Sequence, residues 1–262
     1  TLPIREIVKI LTAGKVKDRE ITIKILEGWD SAEIADYLAK QGLFKSPDFL
    51  KFVGLPKTDY RKRKDLTTPK DFSEQFPFLK DKPIYYGLEG YLFPDTYRIY
   101  KDATIEEVVV KMLDNFDKKL TAELRAEIAR QKKTIYEIII MASILEKEVR
   151  TPEDMQIVAG IFWKRLENNY PLESCATLAF ILGVNKPQYS VEDTKLRSPY
   201  NTYLNQGLPP GPISNPGIEA IKAAIYPKDS PYHYFLSRLD TGETVFSQTY
   251  SEHLQNKAKY LK

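Results

Sequence analysis

The chain has 262 residues, 39 basic and 36 acidic side chains, and a formal charge of +3. That length can bury a real core in one large or two modest domains, while so balanced a charge leaves no polyanion footprint and no expectation of a nucleic-acid partner. One cysteine, Cys175, excludes an intrachain disulfide, and two histidines, His233 and His253, are too few to suggest a metal centre. Neither metal nor cofactor is expected.

Residues 4–11 read as a short helix. Glu20 to Leu26 alternates Ile21, Ile23 and Ile25 with polar neighbours, as a half-buried strand does. Gly28-Trp29 makes a turn, and Asp30 with Glu33 has the spacing that caps a helix running to Gly42. Pro47 opens another short helix through Val53. Residues 54–83 form a connector whose only dense basic run, Lys57 to Lys64, reads as a solvated loop, although Phe72, Phe76 and Phe78 require it to pack against something.

From 84 onward the pattern is denser. Gly87 to Arg98 is aromatic and turn-rich, and helices are predicted over 105–120 and 122–131. Thr134 and Glu137 have capping-box spacing before eight uncharged residues, Ile138 to Leu145. Pro152 starts the next helix, with Met155, Val158, Ile161, Phe162 and Leu166 at core spacing. Residues 197–217 hold five prolines and three glycines, too many for a helix or central strand. Strands at 232–237 and 244–246 and a helix from about Ser251 close the chain. No apolar run approaches the roughly 20 residues of a membrane span, and no signal peptide is present. The chain opens at Thr1 without an initiator methionine, so a fragment of a longer protein is expected, with any upstream anchor outside it.

The chemistry available is that of carboxylates, because no nucleophile elbow and no phosphate-cradling glycine loop occurs. A helix apolar on all sides is buried, and a carboxyl at its end, Glu146, risks desolvation that keeps it protonated as a proton donor. The alternative is that Glu146 sits at the rim of the core and pairs with Arg150. Glu146 and Glu148 point about 200° apart on a helix and cannot flank one bond. A two-carboxylate mechanism would draw its second acid from Glu89, Asp95, Asp154 or Glu173. Tyr200-Asn201-Thr202-Tyr203 and the Pro/Gly segment after it read either as a rigid, exposed sugar-binding wall or as a packed loop covering the core.

The stretches GLEGYLFPDTYRI (87–99), MASILEKE (141–148), IVAGIFWKRL (157–166) and YNTYLNQGLPPGPISNPGIEAIKAAIYP (200–227) carry a resemblance, with YHYF (232–235) and Glu252-His253. The chain resembles the endolytic murein transglycosylases of the YceG-like family across essentially all of 84–262. EGWDSAEIADYLAKQGL (27–43) is similar to the family's LysM-like element. The resemblance implies an α+β protein: a truncated LysM-like unit over 1–53, a connector over 54–83 and a mixed helical and β catalytic domain over 84–262.

It also implies cleavage of the β-1,4 bond between N-acetylmuramic acid and N-acetylglucosamine within peptidoglycan strands, leaving a 1,6-anhydro end. Glu146 is the position to which the family's catalytic glutamate is carried. Ser143, Glu148, Tyr200, Asn201, Thr202 and Tyr203 are the expected substrate-binding residues. Peptidoglycan synthases are the implied partners. The implied location is the inner membrane, with the catalytic part outside, through a single-pass N-terminal helix absent from this chain. Two positions depart from the family pattern: Leu172-Glu-Ser-Cys175 stands where Leu-Gln-Ser/Thr-Asp is common, and Lys164 where Asn is common. The competing expectations are a lysozyme-like hydrolase and a non-catalytic peptidoglycan-binding scaffold.

Overall fold

Capping side chains set most helix starts in the computed structural model, which describes residues 3–5, 19–186 and 188–261. Strand β1 (Glu20–Lys24) leads through the Gly28 turn to α1 (Ser31–Lys40), where Asp30 and Glu33 close a capping box, and then to α2 (Ser46–Val53). Strand β2 (Thr96–Tyr100) follows the connector and pairs antiparallel with β1, Ile23 opposite Tyr97. Helices α3 (Ile105–Lys119), α4 (Ala122–Arg130), α5 (Ile135–Glu148) and α6 (Pro152–Glu167) each start at a threonine whose hydroxyl accepts an amide of the first turn. Such a cap contributes roughly 1 kcal/mol. Then come α7 (Cys175–Leu182) and α8 (Ile218–Ile225), an antiparallel hairpin of β3 (Tyr234–Ser237) and β4 (Thr244–Ser247), and α9 (Tyr250–Tyr260). The helices and two small sheets make this an α+β protein.

Helix α5 is the centre of the core. Ile138 to Leu145 are all buried, with α4, α6, α7 and α8 packed around them. The connector packs as its phenylalanines require: Phe72, Phe76 and Phe78 are buried, and Phe78 stacks on Phe116 of α3 at 4.7 Å. Gly160 of α6 lets that helix touch the chain just beyond α8. A Cβ there would lie 2.2 Å from the Lys228 carbonyl oxygen, and the backbone offers no room to yield.

Several sequence expectations change. The helix expected over 4–11 lies, beyond residues 4 and 5, outside the described residues. Among the described residues the partner of β1 is β2, drawn from 84–262 and not from 1–53. Strand β2, α7 and α8 were not anticipated; seven of the eight residues of α7 are apolar without a period, a pattern that does not separate helix from strand. The membrane location is not upheld either. Among the described residues no helix is long and apolar enough to cross a membrane. The most thoroughly buried helix, α5, has 14 residues, about 21 Å of rise against a hydrocarbon core of about 30 Å.

Three sequence-distant turns meet at Asn215. Its N–H donates to the Trp29 carbonyl at 2.8 Å, its C=O accepts from Gly28 N–H at 2.9 Å, and its side-chain oxygen accepts from Leu92 N–H at 2.9 Å. Its side-chain nitrogen donates to Glu89 at 3.0 Å, and Glu89 also accepts from the Ser31 amide at the start of α1. Burial, with the nearby Asp30 carboxylate, pushes the Glu89 pKa up to about 8, against the N–H donors that favour its charged form.

Two outcomes follow from this packing. The folded pKa of Glu89 lies above its unfolded value, so its contribution is full below the ordinary carboxylate range and is lost as pH rises through about 8. Urea denaturation from pH 5 to pH 9 should cost the wild type on the order of a few kcal/mol more than Glu89→Gln; parallel losses in the two proteins contradict the buried neutral acid. Gly160→Ala should lower unfolding stability by about 1–3 kcal/mol through overpacking, and an unchanged denaturation midpoint would show that α6 tolerates the side chain.

Candidate active site

The last turn of α5 carries two carboxyls, and their two-residue separation sends them to different neighbours. Glu146 Oε2 accepts from Gly217 N–H at 2.9 Å, at the start of α8. Gly217 also accommodates Glu27: a Cβ there would lie 1.9 Å from Glu27 Oε1. The Gly28 turn covers Glu146, with Gly28 at φ 78°, and Lys147 Nζ donates to the Gly28 carbonyl at 3.0 Å. Burial raises the Glu146 pKa; the Gly217 amide opposes the rise and the Glu27 carboxyl adds to it. Glu146 thus stands where the β1–α1 turn meets α8. A cavity of about 410 Å³ lies on this side of the molecule, lined in part by Lys24, Glu27, Phe93, Asp95, Lys119 and Ile218. The expected Glu146–Arg150 pair is not formed: α5 ends at Glu148, and Arg150 instead packs over Gly242 of the β3–β4 turn.

Glu148 enters a different polar cluster. Its Oε1 accepts from Ser174 Oγ and from Ala176 N–H, the latter at 3.1 Å. Burial raises its pKa, opposed in turn by Ser174, the Ala176 amide, Arg165 and the Cys175 amide. Arg165 of α6 donates to the Leu172 carbonyl at 2.6 Å and the His233 carbonyl at 3.2 Å, and stands 3.8 Å from Glu173. Tyr203 Oη lies 3.1 Å from Cys175 Sγ. Ser237 Oγ of β3 donates to the Glu148 carbonyl at 3.2 Å. His253 stacks on Tyr234 at 5.4 Å, and burial lowers its pKa, which favours the neutral imidazole. Glu252 is taken up by the capping box of α9.

The remaining expected site residues divide between contact and support. Thr202 is buried, its hydroxyl accepting from Ser174 N–H at 3.0 Å, and Tyr203 is half-buried beside Cys175, so both belong with Glu148. Asn201 is buried: its Nδ2 donates to the Thr194 and Leu196 carbonyls and its Oδ1 accepts from Tyr203 N–H, which shapes the turn. Tyr200 is buried against Phe180 at 5.3 Å. Ser143 lies inside the core, donating to the Ile140 carbonyl and accepting from Ile213 N–H. The 200–217 segment is therefore mostly a packed loop rather than an exposed wall; only Leu204, Asn205 and Gln206 are exposed. A Pro/Gly loop cannot satisfy its own backbone, so buried Asn, Ser and Thr side chains do so.

Residues not anticipated are Ser174, Arg165, Glu27 and Gly217. Ser174 was legible as the Ser/Thr of the family pattern beside Cys175. The 71-residue separation of Glu146 from Gly217 left no local signal for that contact. Of the proposed second carboxylates, Glu89 is held at α1, Asp95 binds Asn115, Asp154 lies in the first turn of α6, and Glu173 faces Arg165. Among the described residues no group of three or more His, Cys, Asp or Glu could hold a metal ion.

The YceG-like family model matches residues 1–259. The chain is 30% identical over 260 residues to an endolytic murein transglycosylase of Bacillus subtilis (strain 168), covering 97% of this chain and 69% of that protein. It is 35% identical over 188 residues to an endolytic murein transglycosylase of Streptococcus pneumoniae serotype 2 (strain D39), covering 70% of this chain and 34% of that protein. A 2.6 Å crystal structure of a yceG-like protein, lmo1499, from Listeria monocytogenes matches with a TM-score of 0.76 at 34% identity, covering 97% of this chain and 81% of that one. The chain belongs to the YceG-like family.

Proposed function

We propose that this chain is a peptidoglycan lytic transglycosylase that cleaves the MurNAc-β-1,4-GlcNAc bond within glycan strands and leaves a 1,6-anhydro end. The names of the relatives support the substrate and the reaction class. The observation that carries the mechanism is the cluster at Glu148, a carboxyl raised by burial and set among Tyr203, Cys175 and Arg165. This geometry favours Glu148 for the acid–base role that the sequence resemblance carried to Glu146.

In the first step Glu148 gives its proton to the glycosidic oxygen as the bond from that oxygen to the anomeric carbon breaks. In the second the Glu148 carboxylate takes the proton of the muramoyl C6 hydroxyl while O6 bonds to the anomeric carbon. No water is consumed, and the intramolecular nucleophile acts at high effective molarity. One carboxyl suffices, which fits the engagement of Glu89, Asp95 and Glu173 elsewhere and the place of Asp154 in the first turn of α6. A hydrolase would need a second carboxylate across the bond.

The order β1–α1–α2–β2 with β1 antiparallel to β2 supports reading the N-terminal part as a LysM-like unit that engages glycan. Its second strand is then supplied from within the 84–262 segment, joined through the 54–83 connector. Partnership with peptidoglycan synthases belongs to the same proposal.

The second reading keeps Glu146 as the acid, favoured by its own raised pKa and by the cavity near Glu27. Two substitutions separate the readings. On isolated glycan strands, Glu148→Gln should lower release of anhydro-ended fragments by roughly 10²–10⁴-fold, while Glu146→Gln keeps most of the activity. The reverse pattern moves the acid to Glu146. Equal release by both variants and the wild type removes both carboxyls from the chemistry, no release by the wild type above a protein-free control leaves a non-catalytic binding protein, and fragments 18 mass units heavier identify a hydrolase.

A further inference from the structure

Ser174 stands at the N-cap of α7 but makes no capping bond to that helix. Every other capping-type residue at a helix start behaves differently: Asp30, Thr104, Thr121, Thr134, Thr151 and Thr249 each accept an amide of the first turn. Ser174 Oγ donates to Glu148 Oε1 instead. An N-cap hydroxyl would stabilise its helix by roughly 1 kcal/mol, so its diversion to a carboxylate needs a reason.

The rest of Ser174 is fixed by its neighbours. The residue is 1% exposed. Its N–H donates to Thr202 Oγ1 at 3.0 Å, its carbonyl accepts from Thr177 Oγ1 at 2.7 Å, and the two threonine hydroxyls are 2.9 Å apart. Thr202 ties this network to the Tyr200–Tyr203 turn, so the hydroxyl has a fixed backbone behind it. The Ala176 amide bonds the same carboxylate oxygen at 3.1 Å. Both of these bonds fall on Oε1, and neither falls on Oε2.

We propose that Ser174 is a positioning residue for the acid–base step: it holds Oε1 of Glu148 so that Oε2 presents the proton to the glycosidic oxygen and later recovers one from the sugar. This rests on the reading of Glu148 as the acid. A hydroxyl donating to a carboxylate favours the charged form, which offsets part of the effect of burial and lets one group act first as acid and then as base. The other titratable groups facing Glu148 are Arg165 from α6, Cys175 at the start of α7, and Tyr189 and Tyr203 from the loops.

The test compares wild type, Ser174→Ala, Ser174→Thr and Glu148→Gln on isolated glycan strands over a pH series, with folding of each checked by circular dichroism. Ser174→Ala should lower kcat by about tenfold or more with little change in KM. It should also move the alkaline limb of kcat to higher pH, because the carboxyl loses a donor that favours its ionised form. Ser174→Thr should restore both. A folded Ser174→Ala with the wild-type kcat and pH limb overturns the positioning role. So does a fall in kcat with the limb unmoved, or a failure of threonine to rescue. If Glu148→Gln itself cleaves like wild type, the acid assignment fails and the role of Ser174 falls with it. An inactive Glu148→Gln beside an unaffected Ser174→Ala overturns only the positioning role.

Discussion

The burial of α5 on every side fixes where its two terminal carboxyls can go. From Ile138 to Leu145 the helix offers neighbours only apolar side chains and one serine whose hydroxyl bonds the helix backbone and the Ile213 amide of the 200–217 segment. Polar chemistry is thereby confined to the last turn, where Glu146 and Glu148 emerge at an angle set by helix geometry. One meets the Gly28 turn and the start of α8; the other meets Ser174, Ala176 and the Tyr203 turn. Both carboxyls lie at the edge of the same core, and burial raises both pKa values. What distinguishes them is the company each keeps.

That company gives them different mechanical settings. Around Glu146 the backbones of 27–29 and 215–217 are joined through Asn215, and Lys147 adds a bond to the Gly28 carbonyl. This holds the β1–α1 unit against the α5–α8 pair. Around Glu148 the bonds come from the Ser174 hydroxyl and the Ala176 amide at the start of α7, with the Arg165 guanidinium acting through its charge. The first arrangement suits a junction, the second a place where a proton must be given and taken back. Cys175 lies in the second cluster beside Tyr203, next to the proposed acid and not at a remote surface.

Much of the fold was legible because capping chemistry is local. Thr134 with Glu137, Asp30 with Glu33, and Pro152 after Thr151 mark helix starts that agree closely with the observed ones. The alternation of Ile21, Ile23 and Ile25 identified β1 but could not name its partner, because pairing with β2 spans a long insertion. The site was half legible for the same reason. Sequence pattern pointed to the end of α5 and to Tyr200–Tyr203, yet which carboxyl faces that turn is decided by tertiary placement of Ser174 and Thr202. The composition of the Pro/Gly segment left an exposed wall and a packed loop equally open, and its buried Asn201, Ser214 and Asn215 favour the packed loop.

The decisive measurement is a crystal structure of Glu148→Gln with a glycan strand bound. The glycosidic oxygen should lie within hydrogen-bond reach of the residue 148 side chain, with the muramoyl ring beside Tyr203. A strand seated instead across Glu27 and Gly217, with its scissile bond at Glu146, would contradict the assignment.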